Sequence, residues 1–258
     1  MELSYFKLSI EENIAYLQVN HPPANTLNAA VIEELSSAMK QLETREDVKV
    51  IVVTGDGKFF VAGADIQEFT EAFGEAEKAS TISEQGQALC NQIENIRKPV
   101  IAAINGHCLG GGLELAMGCH LRFAAEGASM GLPELNLGLL PSFGGTQRLK
   151  NLTNKAKAAE LILSSKPIKG AEAKTIGLVN DCFPDEDLMP KVKEFALALA
   201  AEKSAESVKR VLELVMEDYP LQEGLQNESK LFGELFETED GQEGVRAFLD
   251  KRAPAFKT

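Results

Sequence analysis

Two nearly uninterrupted apolar runs, Val50-Ile51-Val52-Val53-Thr54 and Val100-Ile101-Ala102-Ala103-Ile104, constrain this chain more than any other feature. A strand with one wet face alternates apolar and polar residues. A run without alternation needs cover on both faces, the condition of a parallel sheet clothed by helices. The first run closes on Gly55-Asp56-Gly57 and the second on Asn105-Gly106, both turn signals. Helical spacing lies around them. From Asn28, a suitable cap, apolar residues fall at Val31, Ile32, Leu35, Ala38, Met39 and Leu42, and a polar helical stretch runs from about Glu75 to Arg97, before Pro99.

Upstream, Phe6–Ile10 and Ile14–Val19 flank Glu11-Glu12-Asn13 and read as a hairpin, which His21-Pro22-Pro23 ends. Downstream, Leu113–Cys119 reads as an apolar helix and Leu121–Ala125 as a strand. Past Thr146 only Leu178–Cys182 resembles a strand, and residues 204–251 hold two or three helices. The expectation is an α/β core over residues 1–200 and a helical C-terminal subdomain over 201–258.

Composition narrows the function. A chain of 258 residues buries roughly three quarters of its unfolded surface, so it needs no staples. Thirty-nine acidic against 26 basic side chains give a net charge of −13, which argues against a nucleic-acid partner. Cys90, Cys108, Cys119 and Cys182 form no CxxC pair, so neither a disulfide framework nor a thiolate zinc site is indicated. The segment from Met1 to Lys7 lacks the basic flank and long apolar run of a signal peptide, and no stretch approaches the ~20 apolar residues that span a bilayer. The expectation is a soluble cytoplasmic protein with no membrane partner.

The most informative stretch runs from Asn105 to Met117. A buried strand enters it, Gly110-Gly111-Gly112 follow, and an apolar helix leaves. A helix that starts there presents unpaired N–H groups with partial positive charge, a place for a phosphate or a developing oxyanion. The same triplet suits tight packing of helix on sheet equally well. Leu115 occupies the last glycine position of G-x-G-x-x-G, and no Gly-Lys-[Ser/Thr] follows, so neither phosphate motif is present. Glu114 stands between Leu113 and Leu115, where a carboxylate is either paired, working, or solvated at a helix N-terminus.

Phe59 to Ile66 offers a second backbone site, since Ala62-Gly63-Ala64 would let an N–H face a cleft, although such residues also pack well. Glu134, in the Gly- and Pro-rich segment Gly131–Gly138, is either an exposed loop glutamate or the partner of Glu114. Two carboxyls in apolar settings can hold different pKa values and divide acid and base roles. Gly127-Ala128-Ser129-Met130-Gly131 matches a nucleophile elbow, but Pro133 follows where a helix is needed, and His21, His107 and His120 all precede Ser129. His107 and His120 read as structural side chains rather than metal ligands.

Together these segments resemble the enoyl-CoA hydratase (crotonase) family over essentially the whole chain. The pieces are Ala62-Gly63-Ala64-Asp65-Ile66, Lys98 to Gly106, Gly110 to Ala116, Pro133-Glu134 and Gly144-Gly145-Thr146-Gln147-Arg148-Leu149. The resemblance implies a layered ββα superhelix core with a helical C-terminal part. It implies hydration of 2-enoyl-CoA thioesters to 3-hydroxyacyl-CoA, with Glu114 and Glu134 as the catalytic carboxyls and the N–H groups of Ala64 and Gly111 on the thioester oxygen. By the same resemblance Ala62, Asp65 and Ile66 contact substrate, and Phe248 and Lys251 reach the CoA of a neighbouring subunit in a homotrimer or dimer of trimers. It calls for no metal and no cofactor; coenzyme A arrives as part of the acyl-CoA substrate. Gln67 stands where many members carry a lysine near the adenine, and His120 where an aspartate is common. Competing readings are an isomerase or dehydratase of a branched or aromatic acyl-CoA, and a non-catalytic CoA-thioester- or RNA-binding relative.

Overall fold

A computed structural model describes residues 3–257, so Met1, Glu2 and Thr258 lie outside it. The chain runs through β1 (Phe6–Glu11), β2 (Ile14–Val19), α1 (Ala29–Thr44), β3 (Val50–Gly55), β4 (Phe59–Val61), α2 (Ile66–Thr70), α3 (Ala76–Glu94), β5 (Val100–Ile104), β6 (His107–Leu109), α4 (Gly111–Gly118), β7 (Leu121–Ala125) and β8 (Ser129–Gly131). A 3-10 turn at Glu134–Leu137 follows, then α5 (Gly145–Leu152), α6 (Lys155–Ser164), β9 (Ile168–Lys169), α7 (Gly170–Thr175), β10 (Asp181–Phe183), α8 (Leu188–Glu202), α9 (Ala205–Val215), α10 (Leu221–Phe236) and α11 (Glu239–Leu249).

The two apolar runs form β3 and β5, and every residue of both is buried. They pair in parallel in the middle of a six-stranded sheet of order β1-β2-β3-β5-β7-β10, with only the β1–β2 hairpin antiparallel. Helices supply the cover that such strands require. Asn28 caps α1 by accepting from Val31 N at 2.9 Å, a contact worth about 1 kcal/mol. Its six apolar positions are all buried. Likewise α8 buries Leu188, Val192, Ala196 and Ala200, one residue per turn, as it lies against β2, β3, β5, β7 and β10.

A second sheet, β4-β6-β8-β9, was not legible in the sequence. Its strands are two or three residues long and contain His107, Ser129 and Gly131, so no apolar period marks them. With it the chain repeats one unit three times. A strand of the large sheet, then a strand of the small sheet, then helical structure: β3–β4–α2, β5–β6–α4, and β7–β8 with the 3-10 turn. This is the layered ββα arrangement the resemblance implied. Asn105 ties two units together, accepting from Gly55 N at 3.0 Å and donating to Gly57 O at 3.0 Å.

Two expectations need correction. The strand expected at Leu178–Cys182 is β10, three residues at Asp181–Phe183; Leu178 and Val179 are apolar because they are buried in the preceding turn, not because they extend. The apolar helix expected from Leu113 starts at Gly111, since the glycines belong to its first turn. Residues 204–251 hold three helices, with α10 packed on α9 and α11. The line drawn between 200 and 201 falls in the last turn of α8; that helix ends at Glu202, and Ser204 caps α9. Among the described residues no helix is long and apolar enough to cross a membrane.

Candidate active site

The small sheet explains why residues far apart in sequence meet. In it β4 and β8 both run parallel to β6. Three segments therefore leave its three C-terminal ends side by side: Ala62–Ala64 after β4, Gly110–Glu114 after β6, and Pro133–Glu134 after β8. Ligands of α/β folds collect at such ends. All three segments line one cavity of about 420 Å³, together with Phe69, Ile82, Leu139 and Phe143.

Of the expected site residues, Ala62, Ala64, Ile66, Gly111, Glu114 and Glu134 line this cavity. Asp65 does not. Its carboxylate caps α2, accepting from Gln67 N at 3.0 Å, so it shapes the segment instead of touching the cavity. Phe248 and Lys251, at and beyond the end of α11, also lie off the lining, and Phe248 is 83% exposed.

Backbone geometry supplies two donors. Among the described residues neither Ala64 N nor Gly111 N donates to a protein acceptor. The neighbouring amides are occupied, Ala62 N by Ala24 O and Gly110 N by Gly131 O. A Cβ on Gly111 would stand 3.3 Å from Ala64 N, so the two free N–H groups lie close together. Gly111 opens α4, which adds the partial positive charge of a helix start. Buried Arg122 holds the opposite end of α4, donating to the carbonyls of Ala116 and Cys119. Such a donor pair can hold a carbonyl oxygen on which charge builds.

Glu114 is 2% exposed, and its Oε1 accepts from Phe143 N at 2.8 Å and Gly145 N at 2.7 Å. Burial pushes its pKa from 4.5 up to about 7; the charge of Glu134 adds to the rise, while the two N–H groups and Arg148 oppose it. Glu134 opens the 3-10 turn, half-buried, and its pKa is raised by burial as well. Its Oε2 is buried and has no hydrogen-bond partner in the protein. A buried oxygen in that state marks a place for water or substrate. Because the two carboxyls repel each other's charge, the pair retains a proton more strongly than either would alone.

The remaining candidates are structural. His120 Nδ1 accepts from Val100 N at 2.9 Å and Nε2 faces Glu94 O at 3.1 Å; burial lowers its pKa to about 4, so it stays neutral. His107 is exposed, with its ring 5.2 Å from that of Phe59. Ser129, in the rejected nucleophile elbow, lies in β8, and no helix follows directly. Sequence reasoning assigned no role to Phe143, whose contribution is an N–H, nor to Gly145, which it marked only as part of the segment Gly144–Leu149; a Cβ on Gly145 would stand 2.8 Å from Glu114 Oε1.

An α/β enzyme with two free backbone donors, and with one buried and one half-buried carboxyl on a largely apolar cavity, is the class of protein this site defines. A model of the family described as enoyl-CoA hydratase/isomerase matches residues 9–258. A probable enoyl-CoA hydratase of Bacillus subtilis is 49% identical over 99% of both chains, and a short-chain-enoyl-CoA hydratase of Clostridium acetobutylicum is 38% identical over 98% of this chain and 97% of its own. A solved enoyl-CoA hydratase of Bacillus anthracis superposes with a TM-score of 0.92 at 35% identity, covering 98% of this chain and 99% of that one. The chain belongs to the enoyl-CoA hydratase/isomerase family.

Proposed function

We propose that this protein hydrates 2-enoyl-CoA thioesters reversibly to 3-hydroxyacyl-CoA, and that Glu114, Glu134, Ala64 and Gly111 do the work. The observation that carries this reading is a pair of carboxyls on one apolar cavity, beside two free backbone donors.

The chemistry is water addition across a polarised double bond. The thioester oxygen sits on the N–H groups of Ala64 and Gly111, and each such donor contributes about 3 kcal/mol when charge develops there. Glu114, charged, accepts a proton from water as its oxygen bonds to Cβ. The π electrons move onto the thioester oxygen as an enolate, and Glu134, protonated, delivers a proton to Cα. In the reverse direction each carboxyl takes the opposite part. A base with a pKa about 7 suits neutral pH, where it is still partly charged yet strong enough to take a proton. One proton shared by the pair is the starting state the reaction needs.

The acyl group is uncharged and apolar. Phe69, Ile82, Leu139 and Phe143 offer it apolar surface, and the charged groups on the cavity are the two glutamates. CoA enters as part of the substrate, and Phe248 and Lys251 of a neighbouring copy reach it in a trimer or dimer of trimers. The helices from Ala205 onward form the subdomain through which copies associate, and the protein works in the cytoplasm. The test is direct: purified protein mixed with crotonyl-CoA should consume the enoyl thioester and form 3-hydroxybutyryl-CoA. No product after prolonged incubation would refute the reading.

A further inference from the structure

We infer that Arg148 is a positioning residue for Glu114, acting through the turn Phe143–Gly145, and this rests on the hydration reading above. The Glu114 carboxyl takes its two backbone hydrogen bonds from that turn alone, one from Phe143 N and one from Gly145 N. Arg148 stands one helical turn further along α5, with its side chain 11% exposed. Its guanidinium spreads over three partners. Nη1 donates to Phe143 O at 3.3 Å, Nη2 to Glu94 Oε2 at 2.7 Å and Asn91 Oδ1 at 2.5 Å, and Nε to Glu94 Oε2 at 3.2 Å. Phe143 is therefore held at both ends of its backbone: its carbonyl by Arg148, its N–H by Glu114.

Gly144 supports the same conclusion independently. Its φ is +107°, and a side chain there would run into Arg148 Nη1. The turn is shaped so that the guanidinium can pass beneath it and fasten to α3. Asn91 and Glu94 both belong to α3, so Arg148 locks the turn to a helix that also packs on α4, the helix bearing Glu114. The turn, α3 and α4 thus form a closed loop of contacts around one carboxyl. Lysine cannot replace this arrangement, because a point charge does not supply a planar fork of donors.

The titratable and charged groups around Glu114 are Glu134 from the 3-10 turn, Cys90 and Glu94 from α3, and Arg148 from α5. Burial keeps the Cys90 thiol neutral. Glu94 spends its charge on Arg148. Loss of the guanidinium removes a positive charge from the neighbourhood of Glu114 and loosens both N–H donors. Both changes disfavour the carboxylate, so the Glu114 pKa moves up.

The experiment compares wild type, Arg148→Gln, Arg148→Lys and Glu114→Gln. Crotonyl-CoA hydration gives kcat and KM across pH. The Glu114 carboxyl is followed separately by 13C NMR of glutamate-labelled protein, assigned by its loss in Glu114→Gln. Misplacement of a catalytic group by under an ångström costs on the order of tenfold or more, so kcat should fall about tenfold or more in Arg148→Gln with KM nearly unchanged. The acid limb of the pH profile and the Glu114 titration should both move to higher pH. Arg148→Lys, which keeps the charge but not the fork, should recover part of the titration shift and less of kcat. If Arg148→Gln does not fold, Arg148→Lys carries the same two readouts.

Folded variants with a lowered Tm but wild-type kcat and an unmoved Glu114 titration would overturn the inference, because that is the signature of a merely structural residue. A wild type that fails to hydrate any enoyl-CoA would sink the functional reading instead, and the NMR titration would still decide whether Arg148 governs Glu114.

Discussion

A methyl group on Gly111 would stand 3.3 Å from the Ala64 nitrogen and 3.2 Å from the Phe143 ring, inside the space proposed for the thioester oxygen. A methyl on Gly112, one residue on, would overlap the Val61 carbonyl of β4. The glycine triplet thus packs tightly, as its composition allowed, and leaves free the N–H that the proposed chemistry uses. Gly110 takes a φ of +52° and leaves room for Glu134 Oε1, which lies 2.8 Å from where its Cβ would be; Gly111 keeps the donor pair open; Gly112 lets α4 press onto β4.

Gly111→Ala should therefore fold, with a Tm near wild type, and lose about 10²-fold or more in kcat, as expected when an oxyanion donor is obstructed. Gly112→Ala should lose the fold itself, because backbone cannot give way as a side-chain tip can. Circular dichroism, thermal melts and crotonyl-CoA hydration of both variants check the pair.

Stability should carry the mark of Glu114. Its pKa is raised on folding, so the native state favours the neutral carboxyl. That stabilisation is complete below pH 4.5 and is lost as pH rises through about 7. A raise from 4.5 to about 7 corresponds to on the order of 3 kcal/mol at alkaline pH. Glu114→Gln keeps an oxygen for Phe143 N and Gly145 N and removes the charge. It should be more stable than wild type at pH 8 by up to that amount and little different at pH 4.5. Denaturant midpoints at the two pH values measure this.

Tail charge should matter as much as tail length. Apart from Ser83 and Ser142 the cavity lining is apolar, and its only charged side chains among the described residues are two carboxyls that already repel each other. An acyl chain that ends in a carboxylate would have to desolvate it among them. Hydration of 2-hexenoyl-CoA should exceed that of an enoyl-CoA of the same length with a terminal carboxylate by about 10²-fold in kcat/KM, corresponding to about 3 kcal/mol. A substrate pair matched in length tests this without any variant.

The large sheet was legible because apolar runs such as Val100–Ile104 record burial on both faces, and Asn28 and the spacing after it mark α1 without ambiguity. The small sheet was not. Short strands such as His107–Leu109 exist because their neighbours pair with them, a long-range condition that no local pattern encodes. The same division runs through the site. Glu114 and the glycines stood out as a carboxylate and a triplet in an apolar context. Phe143 and Gly145 act through their amides; at 143 the side chain says nothing of this, and at 145 glycine is needed because a Cβ would stand 2.8 Å from Glu114 Oε1, a contact that depends on the fold. Arg148 was visible in the segment Gly144–Leu149, but its reach to Asn91 and Glu94 depends on how α3 packs. Asp65 shows the opposite difficulty: a helix-capping aspartate, which it is, and a ligand-binding one look alike in sequence.

The most direct test of the account is the hydration rate of crotonyl-CoA in Glu114→Gln, Glu134→Gln and the double variant. General acid–base groups contribute about 10²–10⁴-fold each, so each single change should reduce kcat within that range. Because both carboxyls serve one addition, the double variant should lose far less than the product of the two. A single variant that retains the wild-type kcat would contradict the claim that these two side chains divide the proton transfers between them.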